Sequence, residues 1–142
     1  MQKNILALDL GKGSLGMAIS RSGMLATPLP NLKFKATYYE EAIKGIKKVM
    51  ETEIVEKIVI GWPLFPSGDP CEMTPIVEAF ISMLNKEFPS LEVIKVDERN
   101  STVEAASMYH ESGLNSKKQK SRIDSGAAMI ILERYLKSIG QI

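Results

Sequence analysis

Three acidic features of this chain have the residue types and placement for cation chemistry. Asp9 interrupts the apolar run ILALDL, separated by one residue from the turn Gly11-Lys12-Gly13. Asp97-Glu98-Arg99 follows the apolar run LEVIKV, and Asp124 stands in RIDSGAAMIILERYL. Carboxylates gathered in one place repel unless a cation holds them. Their oxygens are the ligands that Mg²⁺ or Mn²⁺ prefers. Two such ions about 4 Å apart activate a water and stabilise the leaving oxygen in phosphodiester cleavage. Each acid also has a plainer role open to it. Asp9 can accept hydrogen bonds from the glycine turn. Asp97 or Glu98 can cap the strand end or pair with Arg99. Ser121-x-x-Asp124 has capping-box spacing, with the carboxylate where a helix dipole favours it. The fold decides between these roles, by bringing the acids together or keeping them apart.

The elements that must position them are legible from periodicity. Residues 4–10 form a near-continuous apolar run, as in a strand buried on both faces. From Ser14 to Ser20 large and small residues alternate, which predicts a second strand returning antiparallel. A third is expected over Met24–Leu29, ended by Pro28 and Pro30. Thr37 and Glu40 have capping-box spacing ahead of a helix carrying Tyr39, Ile43, Ile46 and Met50 and ending near Thr52. KIVIG, Lys57 to Gly61, is a short strand. Thr74 as N-cap and Pro75 at N1 begin a helix with the stripe Ile76, Phe80 and Leu84. Leu91–Val96 is the next strand. Ser101 with Glu104 caps a helix that Gly113 ends. The last helix is expected from about Ser121–Ile123 to Lys137, with Ala127, Ala128, Ile131 and Tyr135 facing the sheet.

The order β-β-β-α-β-α-β-α-α predicts an α/β fold. Its mixed five-stranded sheet has three antiparallel strands followed by two parallel ones, flanked by helices. Binding sites in such sheets form beyond the carboxyl ends of the parallel strands, where Asp9 and Glu98 fall.

The chain has 142 residues, 44% of them hydrophobic and 25% charged, as expected for one soluble globular domain spanning 1–142. No apolar run is long enough to cross a bilayer, and the first one does not read as a signal peptide. The single cysteine, Cys71, excludes an internal disulfide and fits a reducing cytoplasm. One Cys and one His, His110, argue against structural zinc. The net charge of +1 favours no partner class. Its distribution says more: NSKKQKSRI, residues 115–123, carries Lys117, Lys118, Lys120 and Arg122 with no acid. The run reads either as a solvated loop or as a phosphate-contacting patch.

GKGSLG matches the G-x-G-x-x-G of dinucleotide-binding folds, but that fingerprint needs a helix starting within the glycines. Here the following residues alternate as a strand. The two-lobed sugar-kinase-like ATPase fold uses a similar opening, yet 142 residues are too few for it. The glycines read instead as a tight turn between two strands.

LALDLGKGSLGMAIS, IVIGWPLFPSG, VDERNSTVEA and KKQKSRIDSGAAMIILERYL occur in the order and spacing of the YqgF (RuvX) family, which this chain resembles from about residue 4 to residue 137. These bacterial proteins have a ribonuclease H-like fold. They are described as candidate Holliday junction resolvases and as nucleases that process the 5′ end of precursor 16S rRNA. The resemblance implies a metal-dependent nuclease using Mg²⁺ or Mn²⁺. It makes Asp9, Glu98 and Asp124 the catalytic metal ligands, with Asp97 in reserve. Arg99 then stabilises phosphate charge or orients Glu98. Lys12, Lys117, Lys118, Lys120 and Arg122 contact the nucleic-acid backbone without reading sequence. The chain departs from the family at Ser14, often basic in members, and at Phe65, usually Asn. Trp62 and Phe65 have two readings: stacking on an unpaired base, or filling a gap between strand and helix.

Three activities fit these residues. One is maturation of precursor rRNA. A second is resolution of branched DNA, for which a homodimer supplies the two active sites a two-fold junction needs. A third is nucleic-acid binding without catalysis, the acids being structural.

Overall fold

The computed structural model describes residues 4–23, 25–99 and 116–140, with side chains of the last segment from residue 126 onward. Five strands form one mixed sheet: β1 (Ile5–Leu10), β2 (Ser14–Ser20), β3 (Ala26–Lys33), β4 (Lys57–Trp62) and β5 (Glu92–Asp97). Their order is β3-β2-β1-β4-β5. The β1–β2 and β2–β3 pairs are antiparallel, whereas β1–β4 and β4–β5 are parallel. This is the sheet that the alternation and the two crossovers predict.

Helices cover both faces, which is why β1 is apolar at every position but Asp9. Leu6, Leu8, Leu10, Ile58 and Ile60 pack against α1 (Tyr39–Thr52) and α2 (Met73–Glu87), through Ile43, Ile46, Phe80 and Leu84. On the other face Ile5, Ala7, Ala18 and Val59 meet Ala128, Ile131, Leu132 and Tyr135 of α3 (Ser116–Ser138). The expected stripe of α3 is thus buried. Phe80 is 1% exposed, so truncating it to Ala costs about 3–5 kcal/mol.

Four local expectations are corrected. The third strand starts at Ala26 and continues to Lys33, through both prolines. It lies at the sheet edge, where a missing N–H is tolerated. The Thr37–Glu40 capping box does not form. Thr37 has φ 72° and its N–H donates to the Lys12 carbonyl at 2.9 Å, which docks this segment on the β1–β2 turn. Thr74 is not the N-cap of α2, which begins one residue earlier. Its buried hydroxyl instead donates to the Pro63 carbonyl at 2.5 Å and accepts from the Cys71 N–H at 2.9 Å. Finally α3 starts at Ser116, so the basic run is helical rather than a loop. Lys, Gln and Arg propagate a helix well, and nothing after Asn115 breaks one. The helix expected over Ser101–Gly113 lies outside the described residues, as does His110.

Candidate active site

Period-2 geometry assigns the acids to sheet faces before any side chain is placed. Ile5 and Ala7 face α3, so Asp9 does too. Val59 faces α3, so Gly61 does as well. Ile94 and Val96 pack on the α3 side, and Glu98 continues that parity. The Glu98 N–H donates to the Trp62 carbonyl at 3.4 Å, extending the strand pairing one residue beyond β5.

Asp9 and Glu98 are nevertheless two strands apart, with β4 between them. Neighbouring strands are about 4.8 Å apart, so the backbones of β1 and β5 are separated by about 10 Å. Gly61 makes the crossing possible. A Cβ at this position would lie 2.6 Å from Glu98 Oε2 and 2.6 Å from Ile131 Cδ1. The Glu98 side chain occupies the missing methyl's place, passes over β4 and shares a hydrogen bond with Asp9. Burial pushes the Glu98 carboxyl up to about 9; the Asp9 charge and hydrogen bond push the same way, followed by the nearby Cys71 and Asp97. Two carboxyl groups that share a proton in a partly buried setting form a site that a hard cation can take over. The donor set therefore fits Mg²⁺ or Mn²⁺.

The third predicted ligand, Asp124, is in α3, and its side chain lies outside the described residues. The helix direction is clear. Ile131 abuts Gly61 near the carboxyl end of β4, and the Lys57 ammonium at the start of β4 donates to the Tyr135 hydroxyl at 2.9 Å. Helix α3 therefore runs antiparallel to β4, and its earlier turns lie toward the carboxyl ends of the parallel strands. Asp124 is seven residues before Ile131, about 10 Å along the axis. Among the described residues no group of three His, Cys, Asp or Glu side chains is arranged to hold a metal. Lys117, Lys118, Lys120 and Arg122 occupy the same helical stretch as Asp124, and their side chains too lie outside the described residues.

Asp97, the reserve ligand, is engaged elsewhere. Its carboxylate accepts from Arg99 Nε at 2.9 Å and Nη2 at 2.7 Å, and from the Arg99 backbone N–H at 2.9 Å. The hydrogen bond from Arg99 holds Asp97 below its ordinary carboxyl range. Arg99 therefore orients Asp97, not Glu98. Its Nη1 also donates to the Pro66 carbonyl at 3.3 Å, tying the loop after β4 to the end of β5. Lys12 pairs with Glu72 at the start of α2. Gly13 lies close against the chain itself: a Cβ there would be 3.2 Å from the Phe34 carbonyl oxygen. Trp62 fills a gap: it packs on the α1–α2 core with Lys95 Nζ 4.0 Å from its ring centroid. Phe65 is exposed.

Sequence reading passed over Gly61, Cys71 and Arg134. A glycine inside a β-branched strand was a usable signal for a close approach. The other two depend on how the α2 loop and α3 are phased.

The comparisons with known proteins bear on the family and the fold. The family described as RuvX, Holliday junction resolvase, matches residues 3–138. The chain belongs to the RuvX family. A RuvX relative from Chlorobium phaeobacteroides, named as a candidate pre-16S rRNA nuclease, is 37% identical over 140 residues, covering 97% of this chain and 94% of the relative. One from Mycoplasmopsis pulmonis with the same name is 38% identical over 133 residues, covering 92% and 90%. The solved structure of Thermus thermophilus RuvC superposes with a TM-score of 0.52 at 13% identity, covering 96% of this chain and 95% of that one. That likeness is one of fold. The RuvX chain thus has the ribonuclease H-like architecture its motifs imply.

Proposed function

We propose that this RuvX protein is a divalent-metal-dependent nuclease that hydrolyses phosphodiester bonds in the 5′-end maturation of precursor 16S rRNA. The observation that carries the reading is the Glu98 carboxyl reaching across Gly61 to Asp9. Asp9 and Glu98 hold the ion, with Asp124 as the third ligand. Bound there, Mg²⁺ or Mn²⁺ supplies a hydroxide nucleophile and offsets charge on the scissile phosphate. The proton shared by Asp9 and Glu98 leaves to solvent when the cation enters. Lys12 and the basic turn of α3 contact the substrate backbone and carry no sequence information. Relatives named for rRNA processing favour RNA over DNA. The cytoplasm is the compartment this reading requires, and no helix among the described residues is long and apolar enough to cross a membrane.

The family's description favours branched DNA as the second reading. Resolution of a four-way junction needs two active sites, hence a homodimer. A cleavage assay with both substrates, with and without Mn²⁺, separates the readings. Metal-dependent cuts in precursor RNA, lost in Asp9→Asn, support the first. Paired nicks in a junction support the second. Equal cleavage by wild type and Asp9→Asn removes the carboxylate site, and binding without cleavage of either substrate leaves a nucleic-acid binder.

A further inference from the structure

Beyond the carboxyl end of β5 lies an open cleft of about 420 Å³, lined by Pro66, Asp97, Arg99 and Arg134. Among the described residues that line it are two guanidiniums and one carboxylate. Asp97 positions both. Its carboxylate takes Nε and Nη2 of Arg99, and its backbone carbonyl accepts from Nη1 of Arg134 at 2.8 Å. The Pro66 carbonyl fixes Arg99 from the other side. Both arginines are therefore preorganised by backbone and side-chain acceptors, which lowers the ordering cost of binding an anion. A guanidinium has five donors in a rigid fork suited to phosphate oxygens. The cleft is also close to the carboxylate pair. Arg134 lies one turn beyond Ile131, whose Cδ1 abuts the place at Gly61 taken by the Glu98 carboxyl. Arg99 is the residue after Glu98.

We infer that the Arg99–Arg134 cleft is a phosphate subsite that holds the substrate's sugar-phosphate backbone on the β5 side of the cleavage site. This rests on the nuclease reading for its substrate but on different residues for its chemistry. The cleft contacts a phosphate flanking the scissile one. Asp97 acts here as a positioning residue and not as a metal ligand. Because phosphates are identical along a strand, the subsite fixes orientation and adds no base preference.

The test uses the full chain in EDTA, so that the strand stays intact, and a fluorescent mixed-sequence single-stranded oligoribonucleotide. Binding is followed by anisotropy across a salt series. Each phosphate neutralised on a single strand contributes about 0.7 to the slope of log K against log salt. Arg134→Gln is expected to weaken binding by about three- to tenfold and to lower the slope by about 0.7. Arg134→Lys is expected to keep the slope and lose part of the affinity, because charge is retained and the fork is lost. The Mn²⁺-induced rise in Tm reports the carboxylate site separately and should be equal in all three proteins. An unchanged salt slope in Arg134→Gln, or no RNA binding by wild type, overturns the subsite. So does loss of the Mn²⁺ response in Arg134→Gln, since Arg134 would then be acting through the carboxylate pair. Absence of the Mn²⁺ response in wild type counts instead against the nuclease reading.

Discussion

Asp97 and Glu98 are adjacent in sequence and opposite in circumstance. Asp97 has the parity of the α1–α2 face and meets a guanidinium, which draws its carboxyl below the ordinary range. Glu98 has the parity of the α3 face and meets burial and a second acid, which drive its carboxyl up to about 9. One peptide bond separates a settled ion pair from a carboxyl that shares a hydrogen bond with a second acid. The difference teaches that an acid's role here depends less on its residue type than on which face of the last strand it continues. It also shows that a like-charged pair, expensive without a ligand, is where binding has most to gain.

That contrast can be broken most severely at Glu98. Glu98→Gln keeps the side-chain shape and removes one ligand charge. Cleavage is expected to fall by at least about a hundredfold, while RNA binding in EDTA stays within about twofold. Retained cleavage would make Glu98 a structural acid like its neighbour. Gly61→Ala comes next. The new methyl takes the space of Glu98 Oε2, displacing the carboxyl from Asp9. We expect a loss of about ten- to a hundredfold in activity and a weaker Mn²⁺-induced rise in Tm. An unaltered Mn²⁺ response would show that the crossing over β4 is dispensable.

Titration sharpens the comparison, because the two acids affect stability with opposite signs. Glu98 has a raised carboxyl, so its contribution is fully present below the ordinary carboxylate range. It declines as pH rises toward about 9. Metal-free protein should therefore lose several degrees of Tm across that window, and saturating Mn²⁺ should reduce or reverse the slope, since the cation competes with the proton. Asp97 has a lowered carboxyl, so its contribution is present above the ordinary range and is lost only as pH falls below it. Glu98→Gln should flatten the slope toward alkaline pH and leave the acid limb unchanged. The smallest effect is expected from Asp97→Asn. Its partner Arg99 is solvent-screened, so Tm at neutral pH should move by no more than about two degrees. A large drop would give this surface pair a structural weight like that of the buried one.

Much of this could be read from the chain. Alternation in β1 and β2, the two crossovers and the apolar stripe of α3 yield the sheet order and the covering of both faces. Asp9 and Glu98 stand out as acids at strand ends. What stayed hidden depends on relations between elements. Gly61 acquires a role only once β4 lies between the two acids. The capping signal at Thr37 is local, and a tertiary hydrogen bond to Lys12 overrides it. Pro28 and Pro30 read as strand breakers because sequence alone does not say which strand is the edge. The link between Arg134 and Asp97 depends on the rotational setting of α3, which no spacing within the helix reveals.

The same edge strand bears on self-association. Pro28 and Pro30 are two residues apart in β3, and neither carries an N–H. The outer rim therefore offers an arriving strand a broken row of donors, which discourages open-ended stacking of one sheet onto the next. If two copies of this protein meet to treat a two-fold substrate, their contact is better made through helices or loops than by sewing β3 to β3.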